Sequence, residues 1–236
     1  LPYIGTPNTF VDVFCGGGSV SLNVECKKLI SNDINSHLIG LYNHVRNNDP
    51  HIFTEYFKDS NCNKETYIKL REKFNSLEDG VEKSKLFVYL NKHSFNGLTR
   101  YNRSGFYNVP FGRITKSNEK QDGVTIIKEK INSFNEKAIL TLQQDIKSFK
   151  EKMIDTNFTC YSFDNPVLYK ELKEGDAVYF EELSFKGVRV IISNSHTSDT
   201  EKVFRKGKFN EVEVRRTIGA SSHTRKNQAE YIILYD

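Results

Sequence analysis

At 236 residues and 27.3 kDa the chain is long enough to bury a full core, as one domain or as one domain carrying a large insertion. Its hydrophobic content of 37% is that of a globular but polar protein, and no run approaches the ~18 apolar residues of a membrane span, so no membrane partner is expected. The formal net charge of +4 is small, but the cations gather at Arg100–Arg113 and Arg215–Lys226, so an anionic partner is expected there.

The chain opens on LPYIGTPN, without Met or a signal sequence, and an upstream segment is expected. TFVDVFCGGGS then reads as a strand of apolar and β-branched residues ending in three glycines, and SVSLNV as the start of a helix. LISND is a second short strand with an acidic end. From Ser36 to about Leu98 the pattern is helical: SHLIGLYNHVRN, KETYIKLREKF and VEKSKLFVYLNK each repeat apolar residues at three- and four-residue spacing. The stretch 127–153 continues this way, with Ile127, Ile131, Phe134, Ala138, Leu142, Ile146, Phe149 and Met153 on one helical face, so 115–155 is expected to be strongly helical. FTCYSF, AVYF and VRVIIS return to strand, and EVEVRRTIGASSHTRKNQAEYIILY predicts a terminal antiparallel hairpin around a polar basic loop. The sum is a doubly wound α/β sheet in 1–41 and 156–236, interrupted by a helical insertion over 42–155. Cys15, Cys26, Cys62 and Cys160 show no CxxC pair or other metal-ligand spacing, so reduced thiols, no metal and a cytoplasmic location are expected.

AVYF and VRVIIS pose a problem of geometry, because only 181–187 separate them. Continuous apolar strands of this kind belong to parallel sheets, and parallel neighbours need a crossover of about a dozen residues or more. Either the two runs are an antiparallel pair, or further residues belong between Phe180 and Glu181.

Two motifs carry chemistry. In DVFCGGGS, residues 12–19, a glycine turn between strand and helix lets a ligand approach backbone that side chains would block. Asp33, at the end of the next strand, can accept from both hydroxyls of a ribose, which favours a nucleoside-containing cofactor. GGGS is not GxGxxG and no GxxxxGK[ST] is present, so neither the dinucleotide nor the triphosphate fingerprint applies. A tight turn with a helix-capping aspartate is the plainer alternative. The second motif, NKHSFNGLTRYNRSGFYNVPFGR at 91–113, alternates arginines with aromatics, asparagines and glycines, a mixture suited to DNA. On composition alone a polar surface hairpin is the better-favoured reading.

Taken in order, DVFCGGGSVSLN, SNDIN with LIGLYNHVRN, LNKHSFNGLTRYNRSGFYNVPFGR, FTCYSFD, GDAVYF and ISNS resemble the Dam-type (D12 class) DNA adenine-N6 methyltransferases, over nearly the whole chain. The NGLTRYN block is specific to that family, and the order of motifs is that of its α group. The resemblance implies S-adenosylmethionine as cofactor, with Phe14, Cys15, Gly16, Gly17, Gly18 and Ser19 bordering its methionine part, Asp33 on its ribose, and Ser162 and Phe163 beside its adenine. It implies double-stranded DNA as substrate, at GATC or a related site, with the target adenine flipped out. Arg100 would read guanine, Phe95 would fill the vacated stack with Asn96 beside it, Leu98 and Pro110 would touch a thymine methyl, Asn108 would join them on DNA, and Arg113 would touch phosphate. Arg215, Arg216, Arg225 and Lys226 would be backbone contacts or solvated charge. A cognate restriction endonuclease is a possible partner.

The same resemblance shows departures. In the family the strand here written AVYF continues into Asp-Pro-Pro-Tyr, then a mobile loop and a helix; here Glu181 and Glu182 follow Phe180, and Asp-Pro-Pro-Tyr occurs nowhere. A Trp-x-Gly-Gly-Lys segment would precede Leu1. The expectation is that a catalytic loop belongs just after Phe180 and orders only around flipped adenine, with EELSFKG as the tail of a crossover helix. The rivals are an RNA or protein methyltransferase sharing the cofactor turn, which the NGLTRYN block opposes, and a catalytically inactive DNA-binding relative.

Overall fold

The computed structural model describes residues 4–112, 114–121, 124–131, 133–174, 176–179, 189–195, 207–215 and 227–235. These fall into two compact units, Leu1–Ile39 with Met153–Asp236, and Gly40–Lys152.

The first unit is built on a seven-stranded sheet of β1 (Thr9–Asp12), β2 (Lys28–Asn32), β5 (Asn157–Thr159), β6 (Ala177–Tyr179), β7 (Arg189–Ser195), β8 (Lys208–Arg215) and β9 (Asn227–Tyr235), in the spatial order β5-β2-β1-β6-β7-β9-β8. β1 lies parallel to both β2 and β6, and β2–β5 and β6–β7 are also parallel. Strand alternation explains why the central runs are apolar throughout. Val11 and Val178 meet Val13, Ile30 and Leu168 in one buried cluster, while Phe10 and Ala177 meet Ile4 and Ile191 in the other. Each fully buried Phe or Val contributes about 1.5–3 kcal/mol relative to exposure. From β1 the chain passes to β2 and β5 on one side and later returns to β6 and β7 on the other. The order therefore reverses between β1 and β6, the crevice where open α/β sheets take ligands, at the carboxyl ends of the strands.

β8 and β9 form the expected terminal antiparallel hairpin, and β9 also pairs antiparallel with β7. AVYF and VRVIIS are parallel neighbours, which removes the antiparallel alternative. The expected break between Phe180 and Glu181, and the helix tail EELSFKG, lie outside the described residues.

Three expectations need correction. SVSLNV is a run of turns, not a helix start. The Ser19 carbonyl, which the Asn23 N–H would take in a helix, is taken by the Asn23 side-chain amide at 2.8 Å, and the Asn23 N–H goes to Val20 O instead. Of FTCYSF only Phe158 and Thr159 lie in a strand, since from Cys160 onward the backbone leaves β2. Residues 127–131 are not helical: they belong to β4 (Val124–Ile131), which pairs antiparallel with β3 (Ile114–Gln121). The register brings Gln121 opposite Val124, and the two residues between them in the sequence read Asp-Gly, a hairpin signal.

The second unit holds this ribbon and most of its helical mass, α2 (Lys64–Ser76), α3 (Val81–His93) and α4 (Glu136–Lys152), while α1 (Ser36–Asn47) begins just before the division. The side chains of Asn63 and Asn135 cap α2 and α4 by accepting from Thr66 N and Ala138 N. Tyr67, Phe74, Leu86, Tyr89, Leu90 and Tyr107 are fully buried. The tyrosine hydroxyls are satisfied, Tyr67 donating to Val109 O at 2.9 Å and Tyr89 to Asn61 O at 2.7 Å. No described helix is long and apolar enough to cross a membrane.

Candidate functional site

The glycine turn leaves the carboxyl end of β1 and is held by its neighbours. Cys15 N donates to Asn32 O at 2.8 Å, and Gly18 N closes back on Cys15 O at 2.7 Å. Gly16 and Gly18 have φ of 45° and 77°, the left-handed region in which other residues are strained. A side-chain carbon placed on Gly17 would meet nothing within 4 Å among the described residues, so the turn presents bare backbone there.

Asp33 stands directly against this turn. Its Oδ2 accepts from Gly16 N at 3.0 Å and its Oδ1 from Asn35 N at 2.8 Å. Each carboxylate oxygen has acceptor capacity left for a ligand hydroxyl. The preceding residue, which sequence reasoning passed over, fixes the whole rim: buried Asn32 donates through Nδ2 to Val13 O and Tyr161 O, both at 3.0 Å, and accepts through Oδ1 from Thr159 Oγ1 and Tyr161 N, both at 2.9 Å. One amide thus ties together the ends of β1, β2 and β5 with its full hydrogen-bonding capacity used.

Asp12 is the second acid of the site. Its Oδ2 accepts from Ser21 Oγ at 2.7 Å, and Ser21 Oγ in turn meets Ser31 Oγ at 2.8 Å. Its Oδ1 is buried with no hydrogen-bond partner among the described residues. Burial pushes the Asp12 carboxyl up from its ordinary value, against the Ser21 hydroxyl and the neighbouring N–H groups of Ser21 and Phe14. The Cys15 thiol is pushed up as well, first by burial and then by the neighbouring carboxylates of Asp12 and Asp33.

Phe14 and Phe163 are 45% and 49% exposed, with ring centroids 6.1 Å apart, so an aromatic pair flanks the turn. Phe163 O accepts from the Tyr169 hydroxyl, and Ser162 O from Asn165 N. Ser19 and Ser162 are exposed, whereas Cys15 and Gly18 are buried and shape the turn from within. Ile34, which the sequence reading did not single out, is an exposed apolar residue beside Asp33, and its carbonyl faces Cys160 Sγ at 3.6 Å. A separate cavity of about 560 Å³ runs along β2 and β5, lined by Ile30, Ile39, Phe158, Cys160, Tyr161 and Leu168 among others. None of the expected cofactor residues lines it.

In the second unit, 94–111 folds back on itself. Phe95 N donates to Pro110 O and Gly112 N to His93 O, both at 2.9 Å, and Ser94 bridges Phe111. Phe95 is left exposed at the start of a tight turn in which Asn96 has φ 53° and Gly97 φ 67°. Leu98 is half-buried, its carbonyl accepting from the Tyr107 hydroxyl, and Pro110 is exposed. Exposed Arg100 donates through Nε to Asn108 Oδ1 at 2.8 Å, and Asn108 N returns to Arg100 O at 3.1 Å. Arg100 Nη2 donates in addition to Asn108 O at 3.4 Å, so the guanidinium is held on Asn108 by two of its nitrogens. Arg113, Arg216, Arg225 and Lys226 lie outside the described residues, as does the side chain of Arg215.

Residues 3–181 match the family described as D12 class N6 adenine-specific DNA methyltransferase. The chain is 33% identical over 239 residues to the DNA adenine methylase of Salmonella typhi, an alignment covering 95% of this chain and 85% of that one. It is 33% identical over 240 residues to the DNA adenine methylase of Escherichia coli K12, and 29% identical over 247 residues to that of Haemophilus influenzae.

Proposed function

Because the chain belongs to the D12 class of N6 adenine-specific DNA methyltransferases, we propose that it transfers a methyl group from S-adenosylmethionine to adenine N6 in duplex DNA, at GATC or a related sequence, with the target base turned out of the helix. The supporting observation in the structure is Asp33, a carboxylate bonded to the N–H of Gly16 at the point where strand order reverses. The residues present fit this cofactor. Asp33 offers acceptors for two ribose hydroxyls, Gly17 leaves backbone open, and Asp12 and Asp33 set a negative field suited to a ligand with cationic sulfur and ammonium groups. Phe14, Phe163 and Ile34 supply apolar surface for the adenine and methylene parts.

Bound there, S-adenosylmethionine supplies an electrophilic methyl group on positively charged sulfur. Adenine N6 is a poor nucleophile, because its lone pair is delocalised into the ring, so the protein must hold the amino group through its two hydrogens. Within a duplex N6 is paired, and extruding the base costs a few kcal/mol. Phe95 offsets part of this by occupying the vacated stack, and Arg100, oriented by Asn108, reads a guanine through its remaining donors. The family resemblance assigns the acceptors for the N6 hydrogens to an Asp-Pro-Pro-Tyr segment after Phe180, where this sequence reads Glu181-Glu182.

Transfer of tritiated methyl groups to a GATC duplex, set against the same duplex already carrying N6-methyladenine, tests this reading. Label should enter only the first; equal labelling of both would contradict an N6 acceptor. Glu181 and Glu182 after Phe180 favour a second reading, a DNA-binding relative without catalysis. Tryptic mapping separates the two, since a peptide running without interruption from Glu174 to Lys186 would establish that the catalytic segment is gone.

A further inference from the structure

We propose that Phe106 extends the reading face of the recognition hairpin beyond the base read by Arg100, by apolar contact with the 5-methyl group of a thymine flanking the recognition sequence. The inference rests on Arg100 being a base reader. Its ground is the hairpin's register. Asn108 N donates to Arg100 O at 3.1 Å, Asn102 N donates to Phe106 O at 2.9 Å, and Tyr101 bridges Tyr107 between them. Side chains alternate along paired strands, so Tyr101 and Tyr107 share one face while Arg100, Asn102, Phe106 and Asn108 share the other. The tyrosine face is the inner one: Tyr107 is buried, its ring centroid is 5.8 Å from that of Tyr101, and its hydroxyl donates to Leu98 O. Phe106 is 50% exposed on the outer face, so its ring contributes little to the core.

The ring is nonetheless presented on fixed backbone. Asn102 Oδ1 accepts from Phe106 N at 2.9 Å and from Ser104 N at 3.0 Å, and Gly105 with φ 79° turns the chain between them. Phe106 stands two residues beyond Asn108, the partner that orients Arg100. Two strand residues span roughly 7 Å, which is about two base-pair steps of 3.4 Å. Exposed Arg103 in the same turn adds positive charge at the hairpin's tip, suited to a phosphate of that flank. A phenyl ring has no hydrogen bond to give a base edge; the thymine methyl is the apolar group the major groove offers it, and neither cytosine nor uracil carries one.

Fluorescence anisotropy on duplexes that share the recognition sequence and differ at one flanking pair tests this. At one flanking position the unaltered protein should bind the T·A duplex about fourfold more tightly than the U·A duplex, the factor for withdrawing one methyl group from water. Phe106→Ala should bind the two equally while still distinguishing the recognition sequence from a scrambled one, and Phe106→Leu should keep part of the preference. Equal affinity of the unaltered protein for T·A and U·A at every flanking position, a comparison that needs no variant, would overturn the inference. So would an undiminished preference in Phe106→Ala. Failure of the underlying reading looks different: Arg100→Ala would then distinguish recognition and scrambled sequences as well as the unaltered protein does.

Discussion

Gly112 lies so close to Phe95 that a side-chain carbon on it would stand 2.3 Å from the Phe95 Cα and 2.4 Å from its backbone nitrogen. The neighbour is main chain and cannot swing aside, so the glycine is required by space at this position. Gly112→Ala should therefore push the Phe95 turn off its seat. The expected cost is about 1–3 kcal/mol of stability, with a larger proportional loss of DNA affinity, because Phe95 would no longer be presented where the fold now places it. Urea unfolding together with DNA binding checks this, and an alanine variant matching the unaltered protein in both would contradict the clash.

Asp33→Ala should weaken S-adenosylmethionine binding by roughly 1.5–3 kcal/mol, the range for a charge-assisted hydrogen bond. It also removes the acceptor for Gly16 N, so the glycine turn should loosen together with the proposed ribose contact. Asp33→Asn keeps an acceptor oxygen and should lose less. Isothermal titration calorimetry decides; unchanged affinity in the alanine variant would remove Asp33 from the cofactor site.

Arg100→Ala should cost about 1–3 kcal/mol on the recognised duplex and little on an unrelated one, since a bidentate guanine contact discriminates and a phosphate contact does not. Asn108→Ala should produce a smaller loss of the same selective kind, because Asn108 orients the guanidinium through Nε. Equal losses on both duplexes would make Arg100 a backbone contact.

Glu82 gives the second unit an acid-sensitive tie. Burial works against its ionisation, but hydrogen bonds from Lys73, Tyr56 and Lys85 outweigh that and hold it at about 2, below its ordinary 4.5. A carboxylate lowered in this way contributes stability that is present above pH 4.5 and is lost as the pH falls from 4.5 towards 2. The side chain is 37% exposed, so solvent screening keeps the effect modest. Thermal unfolding of Glu82→Gln should show a deficit at pH 7 that narrows through that interval; a deficit independent of pH would assign it to packing.

The parallel core was legible because β1 and β6 are short runs apolar on both faces and bounded by Asp and Gly, a length and flanking pattern that favours buried parallel strands over a helix. The hairpin 114–131 was not. Ile127 and Ile131 are four apart and also fit a helical stripe, so periodicity alone pointed the wrong way, and the deciding signal was Asp122-Gly123. The glycine turn and Asp33 could be read as a local motif. Asn32 could not, because its four bonds reach Val13, Thr159 and Tyr161, residues that only the folded sheet brings to it. Gly112 was hidden for the same reason, since its constraint comes from Phe95 across a turn.

The central claim is adenine-N6 methylation at a defined DNA sequence. Its most direct test is to incubate unmethylated plasmid with the purified protein and S-adenosylmethionine and to read modified bases across the plasmid by single-molecule sequencing. The account predicts N6-methyladenine at every copy of one short sequence containing guanine beside the target, GATC or a close relative, and at no other adenine. Plasmid that the protein binds but leaves without N6-methyladenine, or methylation scattered without regard to sequence, would contradict it.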